Sequence, residues 1–343
     1  MKYAIVFGGV SYEHEISIVS AITLKEKLGE KKCYIFCDSK REFYLIAEDQ
    51  MKSKTFSSGA YKKMPKLTLK NGGFYQKALM KEKIVDFDVA LNLIHGSDGE
   101  DGKMASLFTF FKVPFIGPRI EASVLSFNKH YTKLYAEAIG IKTLAYEVLK
   151  KGDYVIKTPF PVIVKPLRLG SSIGVSIVRE QSELEYALDV AYEFDDEVLI
   201  EPFVEGVKEY NLAGLRAEKF IYSIVEEPHK EEFLDFEKKY LDFARTSQVL
   251  KAEIDENMEQ QLKEAFTKIY GKLFEGALIR CDFFVIEEEI YLNEINPIPG
   301  SYANYLFEDF TKVMNDLAKH LPKERSIPID YAYIGSIQKV KGK

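Results

Sequence analysis

Asp282, Glu294 and Asn296 have the chemistry of a site for a hard divalent cation. They lie in two apolar segments, Arg280-Cys281-Asp282-Phe283-Phe284-Val285-Ile286 and Ile290-Tyr291-Leu292-Asn293-Glu294-Ile295-Asn296, separated by Glu287-Glu288-Glu289. Both segments are rich in β-branched and aromatic residues, as strands are, and the acidic triplet suits a turn. A connection symmetric about Glu288 places Asp282 opposite Glu294 and Arg280 opposite Asn296. Residues two apart share a sheet face, so these four side chains converge on one side. Two carboxylates and an amide oxygen suit Mg2+, which keeps its other positions for water and phosphate oxygens. The same register puts Phe284, Ile286, Ile290 and Leu292 on that face, which predicts that it is largely buried. Buried carboxylates need partners, and a metal with an arginine supplies them. The alternative is a hairpin whose polar positions merely face solvent.

A second set of residues suits phosphate. Val162-Ile163-Val164-Lys165-Pro166-Leu167-Arg168-Leu169-Gly170-Ser171-Ser172-Ile173-Gly174-Val175 reads as strand, flexible loop and strand. It lacks the G-K-[ST] and following helix of a Walker loop. Its glycines and serines can still wrap phosphates with N–H groups and hydroxyls, and Lys165 adds a point charge. Glu201-Pro202-Phe203-Val204-Glu205-Gly206 ends a strand whose backbone can read an adenine edge, with Glu209 soon after for ribose hydroxyls. Gly8-Gly9-Val10-Ser11-Tyr12-Glu13-His14-Glu15 is a strand and turn entering a helix, where an acid can pair with an ammonium group. Glu13 and Glu15 can equally be favourable first-turn charges.

These groups need elements to hold them. Lys2 to Phe7 predicts a buried strand, Glu15 to Leu28 a helix, and Cys33 to Phe36 and Phe43 to Ile46 short strands. Asp88 to Ile94 is a further strand running into His95-Gly96-Ser97-Asp98-Gly99-Glu100-Asp101-Gly102. Both glycine-rich loops fall at carboxyl ends of strands, where open α/β sheets bind ligands. Val113 to Pro118 closes this unit. A helix follows, with Asn128 as N-cap and Gly140 as stop. Pro161 to Lys165, Gly174 to Val178 and Glu197 to Val204 are strands, and Ser182 to Tyr192 is an amphipathic helix. Tyr210 to Leu215 and Phe220 to Val225 are strands, Glu226 to Gln248 a polar stretch, and Glu256 to Leu273 and Thr311 to Leu317 helices. The tail after Leu321 is polar.

The 343 residues suit two or three domains, and 46% hydrophobic with 29% charged residues is a globular composition. A net charge of -6 gives no pull toward nucleic acid or anionic membrane. Lysines between Lys25 and Lys83 are interleaved with acids and apolar residues, which predicts a solvated surface. No apolar run has the length to cross a bilayer, and the opening residues read as a strand instead of a secretion signal. Cys33 and Cys37 have neither a redox nor a zinc spacing, so reduced thiols in a cytoplasmic protein are expected.

The ordered series of H-G-x-x-G-E-D-G, K-P-x-x-x-G-S-S-x-G, E-P-F-V-x-G, R-x-D and N-E-I-N-P-x-P-G resembles the ATP-grasp ligases. Within them it looks like the D-alanine–D-alanine ligase family, over nearly the whole chain up to about Leu317. The resemblance implies an α/β fold with α+β elements in three domains: 1–118, 119–204 and 205–321, with a lid at about 226–248 and a tail at 322–343. ATP would lie between the central and C-terminal domains. Lys129 and Lys165 match phosphate-binding lysines, Gly170-Ser171-Ser172 a loop closing over the triphosphate, Glu201, Phe203 and Val204 an adenine strand, and Glu209 a ribose acid. Asp282, Glu294 and Asn296 match ligands of two Mg2+ ions, with Mn2+ as a substitute. Glu13 matches the acid that meets the first D-alanine's ammonium group. Arg280 and the N–H of Gly300 match the holders of the developing oxyanion.

His95 falls in a loop near the first substrate, with orienting and deprotonating roles both open. In the lid, Lys239 matches a γ-phosphate contact, and Tyr240 a partner of Ser171 and Glu13. Where many relatives dock the second substrate's carboxylate on a serine and the residue after it, this chain has Tyr305-Leu306. Tyr305 can donate one hydrogen bond, or Ser301 can take over. The implied activity is ligation of two D-alanines through an acyl phosphate for peptidoglycan precursors, by a cytoplasmic homodimer. Ligases taking D-serine or D-lactate second are the rivals, with a nucleotide-binding regulator without turnover as a rival of another class. Tyr240 argues against lactate.

Overall fold

The computed structural model describes residues 1–29, 31–77, 81–228 and 251–341. Strand β1 (Tyr3–Gly8) is buried along its whole length, as an unbroken apolar run in a parallel sheet must be. It lies between β2 (Lys32–Cys37) and β7 (Val89–Asn92), parallel to both. Strand β8 (Phe115–Ile116) adds to β7, again parallel. On the other side β3 (Phe43–Ile46), β4 (Lys66–Lys70), β5 (Gly73–Lys77) and β6 (Glu82–Ile84) extend the sheet to the order β6-β5-β4-β3-β2-β1-β7-β8. The lysine-rich stretch, where strands were expected only at Cys33 to Phe36 and Phe43 to Ile46, also contains β4, β5 and β6, each antiparallel to its neighbours. Leu67 is buried between the exposed Lys66 and Thr68, the alternation of a half-buried strand. Helix α1 (His14–Lys27) follows β1, α2 (Ser53–Ser57) lies under the sheet's aromatic cluster, and α3 (Lys103–Phe110) follows the loop after β7. The loops holding Glu13 and His95 thus leave the carboxyl ends of adjacent parallel strands.

A second sheet, in the order β11-β10-β12-β9, comprises β9 (Glu147–Lys150), β10 (Val162–Pro166), β11 (Ser176–Val178) and β12 (Glu197–Pro202). Helix α4 (Ile120–Phe127) precedes α5 (Lys129–Ala138). Asn128 ends the first and caps the second, its side-chain oxygen accepting from His130 N at 3.0 Å and Tyr131 N at 3.2 Å. The cap was legible; α4 and β9 were not. Helix α6 (Gln181–Tyr192) buries Leu184, Ala187, Leu188 and Ala191 against this sheet.

The third sheet has the order β14-β13-β15-β16, from β13 (Lys208–Arg216), β14 (Phe220–Glu226), β15 (Ile279–Ile286) and β16 (Glu289–Asn296). Arg280 pairs with Asn296 and Asp282 with Glu294, as symmetry about Glu288 predicts. Beyond them the register shifts at a β-bulge, and Phe283 pairs with Leu292, Phe284 with Tyr291 and Ile286 with Glu289. The turn residues Glu287 and Glu288 both have positive φ, at 50° and 64°, as a two-residue hairpin turn requires. Such a turn moves the centre of symmetry by half a residue, and Asn293 absorbs the difference. The expectation that Ile290 and Leu292 share the acids' face is therefore corrected. They pack with Cys281, Phe283 and Val285 in the core under helix α7 (Glu256–Tyr270), while Tyr291 takes the acids' side.

Helix α8 (Phe310–Lys319) places Met314 and Leu317 in a core shared by the first and third sheets, with Tyr3, Ile5, Leu215 and Leu278. The tail expected only as polar contains helix α9 (Ala332–Lys341). Of the expected lid, Glu226 completes β14, while 229–250 with Lys239 and Tyr240 lie outside the described residues. Among the described residues no helix is long and apolar enough to cross a membrane.

Candidate active site

Asp282 is 3% exposed, and its oxygens accept from Arg280 Nε at 2.7 Å and Nη2 at 2.8 Å. Asn296 Nδ2 donates to Asp282 Oδ2 at 3.0 Å and Glu294 Oε1 at 3.4 Å. The four residues expected to converge do so. Burial pushes the Asp282 carboxyl up to about 6, with Arg280 opposing and Glu294 adding to the rise. Burial also works to raise Glu294, but Lys129, Lys165 and Arg280 overcome it and hold that acid below its usual range. Two acids in contact, Asp282 buried and Glu294 half-buried, with the first reluctant to ionise, fit a hard divalent cation whose charge relieves their repulsion. A half-turn of the Asn296 amide presents its oxygen to the same point. Asn211 lies beside Asp282, and Glu226 beside Asn211, which extends one polar row across all four strands.

Lysines face these acids from the second unit. Lys129 opens α5, and its Nζ donates to the Leu169 carbonyl at the start of the glycine-rich loop. Burial lowers its affinity for its proton, offset in part by Glu294 on one side and Glu13 on another. Lys165, at the end of β10, donates to Glu201 Oε2 at 2.9 Å and to Asn293 Oδ1 at 3.3 Å. Burial disfavours its charge, and Glu201, Glu294 and Glu209 more than restore it. The bulged residue Asn293 thus has a use: its side chain reaches across to the second sheet.

The third group comes from the first sheet. Glu13 is buried just before α1, its Oε1 accepting from Ser171 Oγ at 2.7 Å. Burial, then the nearby Glu100, pushes its carboxyl up to about 6. Gly96, at φ +68°, allows this approach, since a Cβ there would lie 2.6 Å from Glu13 Oε2. His95 is 4% exposed; its Nε2 lies 3.0 Å from Ser20 Oγ and its Nδ1 3.6 Å from Glu100 Oε1. Burial depresses the imidazole to about 4, so it is neutral near pH 7. Burial also pushes Glu100 up to about 8.

Ser20 Oγ also accepts from Ser301 N at 3.1 Å, which ties His95 to the segment carrying Gly300. That segment, Gly300–Leu306, is a 3₁₀ turn in which Ser301, Tyr302 and Ala303 have φ of 48°, 54° and 47°. Left-handed backbone costs a non-glycine residue about 1–2 kcal/mol. The Tyr302 hydroxyl, donating to the Asn92 carbonyl at 2.6 Å, and Asn304 Nδ2, donating to the Ser301 carbonyl at 3.0 Å, hold it in place.

Sequence profiles described as D-ala D-ala ligase N-terminus and D-ala D-ala ligase C-terminus match residues 2–118 and 136–313. The chain belongs to the D-alanine–D-alanine ligase family. A D-alanine–D-alanine ligase of Wolinella succinogenes is 63% identical over 345 residues, covering 100% of both chains. The crystal structure of the D-alanine–D-alanine ligase from Helicobacter pylori superposes with a TM-score of 0.85 at 51% identity, over 95% of this chain and 100% of that one. The VanG D-Ala:D-Ser ligase from Enterococcus faecalis gives 0.74 at 25% identity, over 93% and 98%. The fold is that of the ATP-grasp members of this family.

Other residues suggested by the ligase resemblance fall in varied surroundings. The Phe203 N–H donates to the Pro161 carbonyl at 2.9 Å, which commits it within the protein. Arg179 lies 5.9 Å from the Phe203 ring centroid. Val204 follows the end of β12, and Glu209 is paired with Phe284 on the acids' side of the third sheet. Ser171 and Ser172 have positive φ, at 56° and 58°. Leu306 is buried in the core while Tyr305 packs at its edge. Among the described residues the Ser301 hydroxyl is buried without a hydrogen-bond partner, and it directly follows Gly300.

Sequence reasoning singled out neither Glu100, Lys133, Asn211 nor Ser20. Glu100 lay within a quoted motif, and Lys133 stands one helical turn from Lys129, a spacing that puts both on one face. Asn211 and Ser20 carried no signal beyond their polarity on apolar elements.

Proposed function

We infer that the chain is an ATP-dependent, ADP-forming ligase that joins two D-alanines into D-alanyl-D-alanine for peptidoglycan precursors. The observation that carries this reading is the 2.7 Å hydrogen bond from Ser171 Oγ to Glu13 Oε1, which joins the glycine-rich loop of the second unit to the acid of the first, with Lys129 Nζ donating to the Leu169 carbonyl of the same loop. A substrate ammonium group held at Glu13 thus lies near the groups suited to a nucleotide's phosphates. On this reading residues 1–118, 119–204 and 205–321 are the three domains, and ATP sits between the second and third. The backbone of Glu201, Phe203 and Val204 lies along the adenine and Glu209 meets the ribose. Lys129, Lys165 and the Ser171-Ser172 loop hold the phosphates.

Asp282, Glu294 and Asn296 would hold two Mg2+ ions, or Mn2+, which neutralise the β- and γ-phosphates. Glu13 holds the first D-alanine by its ammonium group while the substrate's own carboxylate attacks the γ-phosphorus, ADP leaving, to give an acyl phosphate. The free amine of the second D-alanine attacks that acyl carbon, losing a proton as phosphate leaves and the peptide bond forms. Arg280 and the Gly300 N–H meet the oxyanion that develops. His95, neutral and fixed by Ser20, orients the first substrate, and Ser301, Tyr305 and the Leu306 backbone line the second substrate's end. Lys239 and Tyr240 belong to a lid that excludes water from the acyl phosphate. Incubation with ATP and D-alanine, followed by mass identification of the product, tests the reading; absence of D-alanyl-D-alanine sinks it.

The Glu13 assignment carries a pH dependence. Only the ionised carboxylate attracts an ammonium group, and protonation sets in as pH falls through about 6. The kcat/KM for D-alanine is expected to fall about tenfold per unit below that point. Glu13→Gln is expected to remove this limb and to raise KM for D-alanine more than KM for ATP; an unchanged limb assigns it to another group.

The protein is further proposed to be a cytoplasmic homodimer. Leu107, Phe110, Ile120, Val124 and Leu134 of α3, α4 and α5 are exposed, and these helices pack in series, a pattern suited to burial against a second copy. Sedimentation giving the mass of one chain would remove the dimer.

A further inference from the structure

Lys133 lies one turn beyond Lys129 on α5, is 2% exposed, and faces Glu201 Oε1 at 2.5 Å. Glu201 is itself 1% exposed, and its other oxygen takes Lys165 Nζ at 2.9 Å. One buried acid is thus held between two lysines from different elements, the helix α5 and the strand β10. The Tyr146 ring, its centroid 5.3 Å from Lys133 Nζ, closes the far side.

Such an arrangement is a poor device for stability, since burying charges costs about as much as their attraction returns. Its charge arithmetic is more informative. Lys165 and Glu201 alone form a neutral pair, whose field at an approaching phosphate is that of a weak dipole. A second ammonium on the inner oxygen leaves the trio with one net positive charge, and Lys165 is its outward member, next to Asn293 and toward Glu294.

We propose that Lys133 is a positioning residue for the nucleotide: by neutralising Glu201 from behind, it leaves the charge of Lys165 available to an anionic phosphate. It touches no substrate and acts through Glu201 and Lys165. The inference rests on the nucleotide site proposed above, and it predicts an effect on binding of ATP and ADP without a matching effect on D-alanine.

The test is calorimetric titration of the whole protein with ADP, together with KM measurements. Lys133→Met is expected to weaken ADP about tenfold and to raise KM for ATP similarly, with KM for D-alanine within about twofold of the parent. Adding Glu201→Gln removes the acid that Lys133 counters, and the double variant is expected to recover ADP affinity to within about threefold of the parent. If Lys133 serves only packing, the second substitution adds to the damage, and that result overturns the proposal. Should Lys133→Met not fold, Lys133→Gln decides, because it keeps a hydrogen-bond donor facing Glu201 while removing the charge, and it is expected to bind ADP about tenfold more weakly than the parent. Parent-like binding by that variant overturns the proposal too. A parent protein that binds no ADP at all would instead remove the nucleotide site, which keeps the two failures distinguishable.

Discussion

Arg280→Met is expected to lower kcat by about 10²- to 10³-fold, the usual loss when a donor to an oxyanion is removed, and to destabilise the fold by about 3–5 kcal/mol. The two effects have one origin. Arg280 spans Asp282 with two short hydrogen bonds, and Asp282 is already resisted by burial and by Glu294. Removing the guanidinium leaves a buried acid with the Asn296 amide still donating to it and Glu294 still opposing its charge. The destabilisation should therefore be reversed in large part by adding Asp282→Asn, which removes the orphaned charge, while kcat stays low. Denaturant midpoints and phosphate-release rates for the single and double variants check both statements. If Asp282→Asn alone and the double variant turn over at the same rate, Arg280 serves Asp282 alone and meets no oxyanion.

That Arg280 and the three metal-type donors meet was legible because the hairpin's symmetry depends only on its two apolar runs and the acids between them. What was not legible is the bulge at Asn293. A two-residue turn and a three-residue turn have nearly the same sequence here, since Glu287, Glu288 and Glu289 are all polar, and the choice between them reassigns Ile290 and Leu292 from one face to the other. The acids kept their places because they lie beyond the bulge. Asn128 as a helix cap was legible from side-chain chemistry. Helix α4, which abuts it, was not legible because Asn128 ends one helix and starts the next with no breaker between them.

Lys133 and Glu100 illustrate a different blind spot. Each belongs to the site through a partner distant in sequence, Glu201 for the first and Glu13 for the second. Charge on an amphipathic helix or in a glycine-rich loop reads as solvated until the fold brings another element over it. Sequence similarly gave no account of the left-handed turn at Ser301, Tyr302 and Ala303, because none is a glycine. That conformation is imposed by the Tyr302 hydroxyl and the Ser20 contact, both tertiary.

Glu294→Gln is expected to abolish ligation, by about 10³-fold or more, while leaving the protein folded. Lys129, Lys165 and Arg280 all act on this acid, so its removal takes one anion from among three cations, of which Arg280 keeps Asp282 and Lys165 keeps Glu201. The amide keeps Glu294's shape and its place beside Asn296, and Asp282 loses the neighbour that helped raise it. Unfolding midpoints should therefore hold or rise. Metal-free ADP should bind at least as tightly, because an anion now meets a larger uncancelled positive charge. What disappears is the gain in ADP affinity on adding Mg2+, since an amide is a weaker ligand for a hard cation than a carboxylate. Titrations of ADP with and without Mg2+ separate these outcomes. A variant that retains both the Mg2+ dependence and the ligation rate would show that the cation is held elsewhere, and the pairing of Asp282 with Glu294 would then be no more than an acid pair neutralised by Arg280 and the lysines.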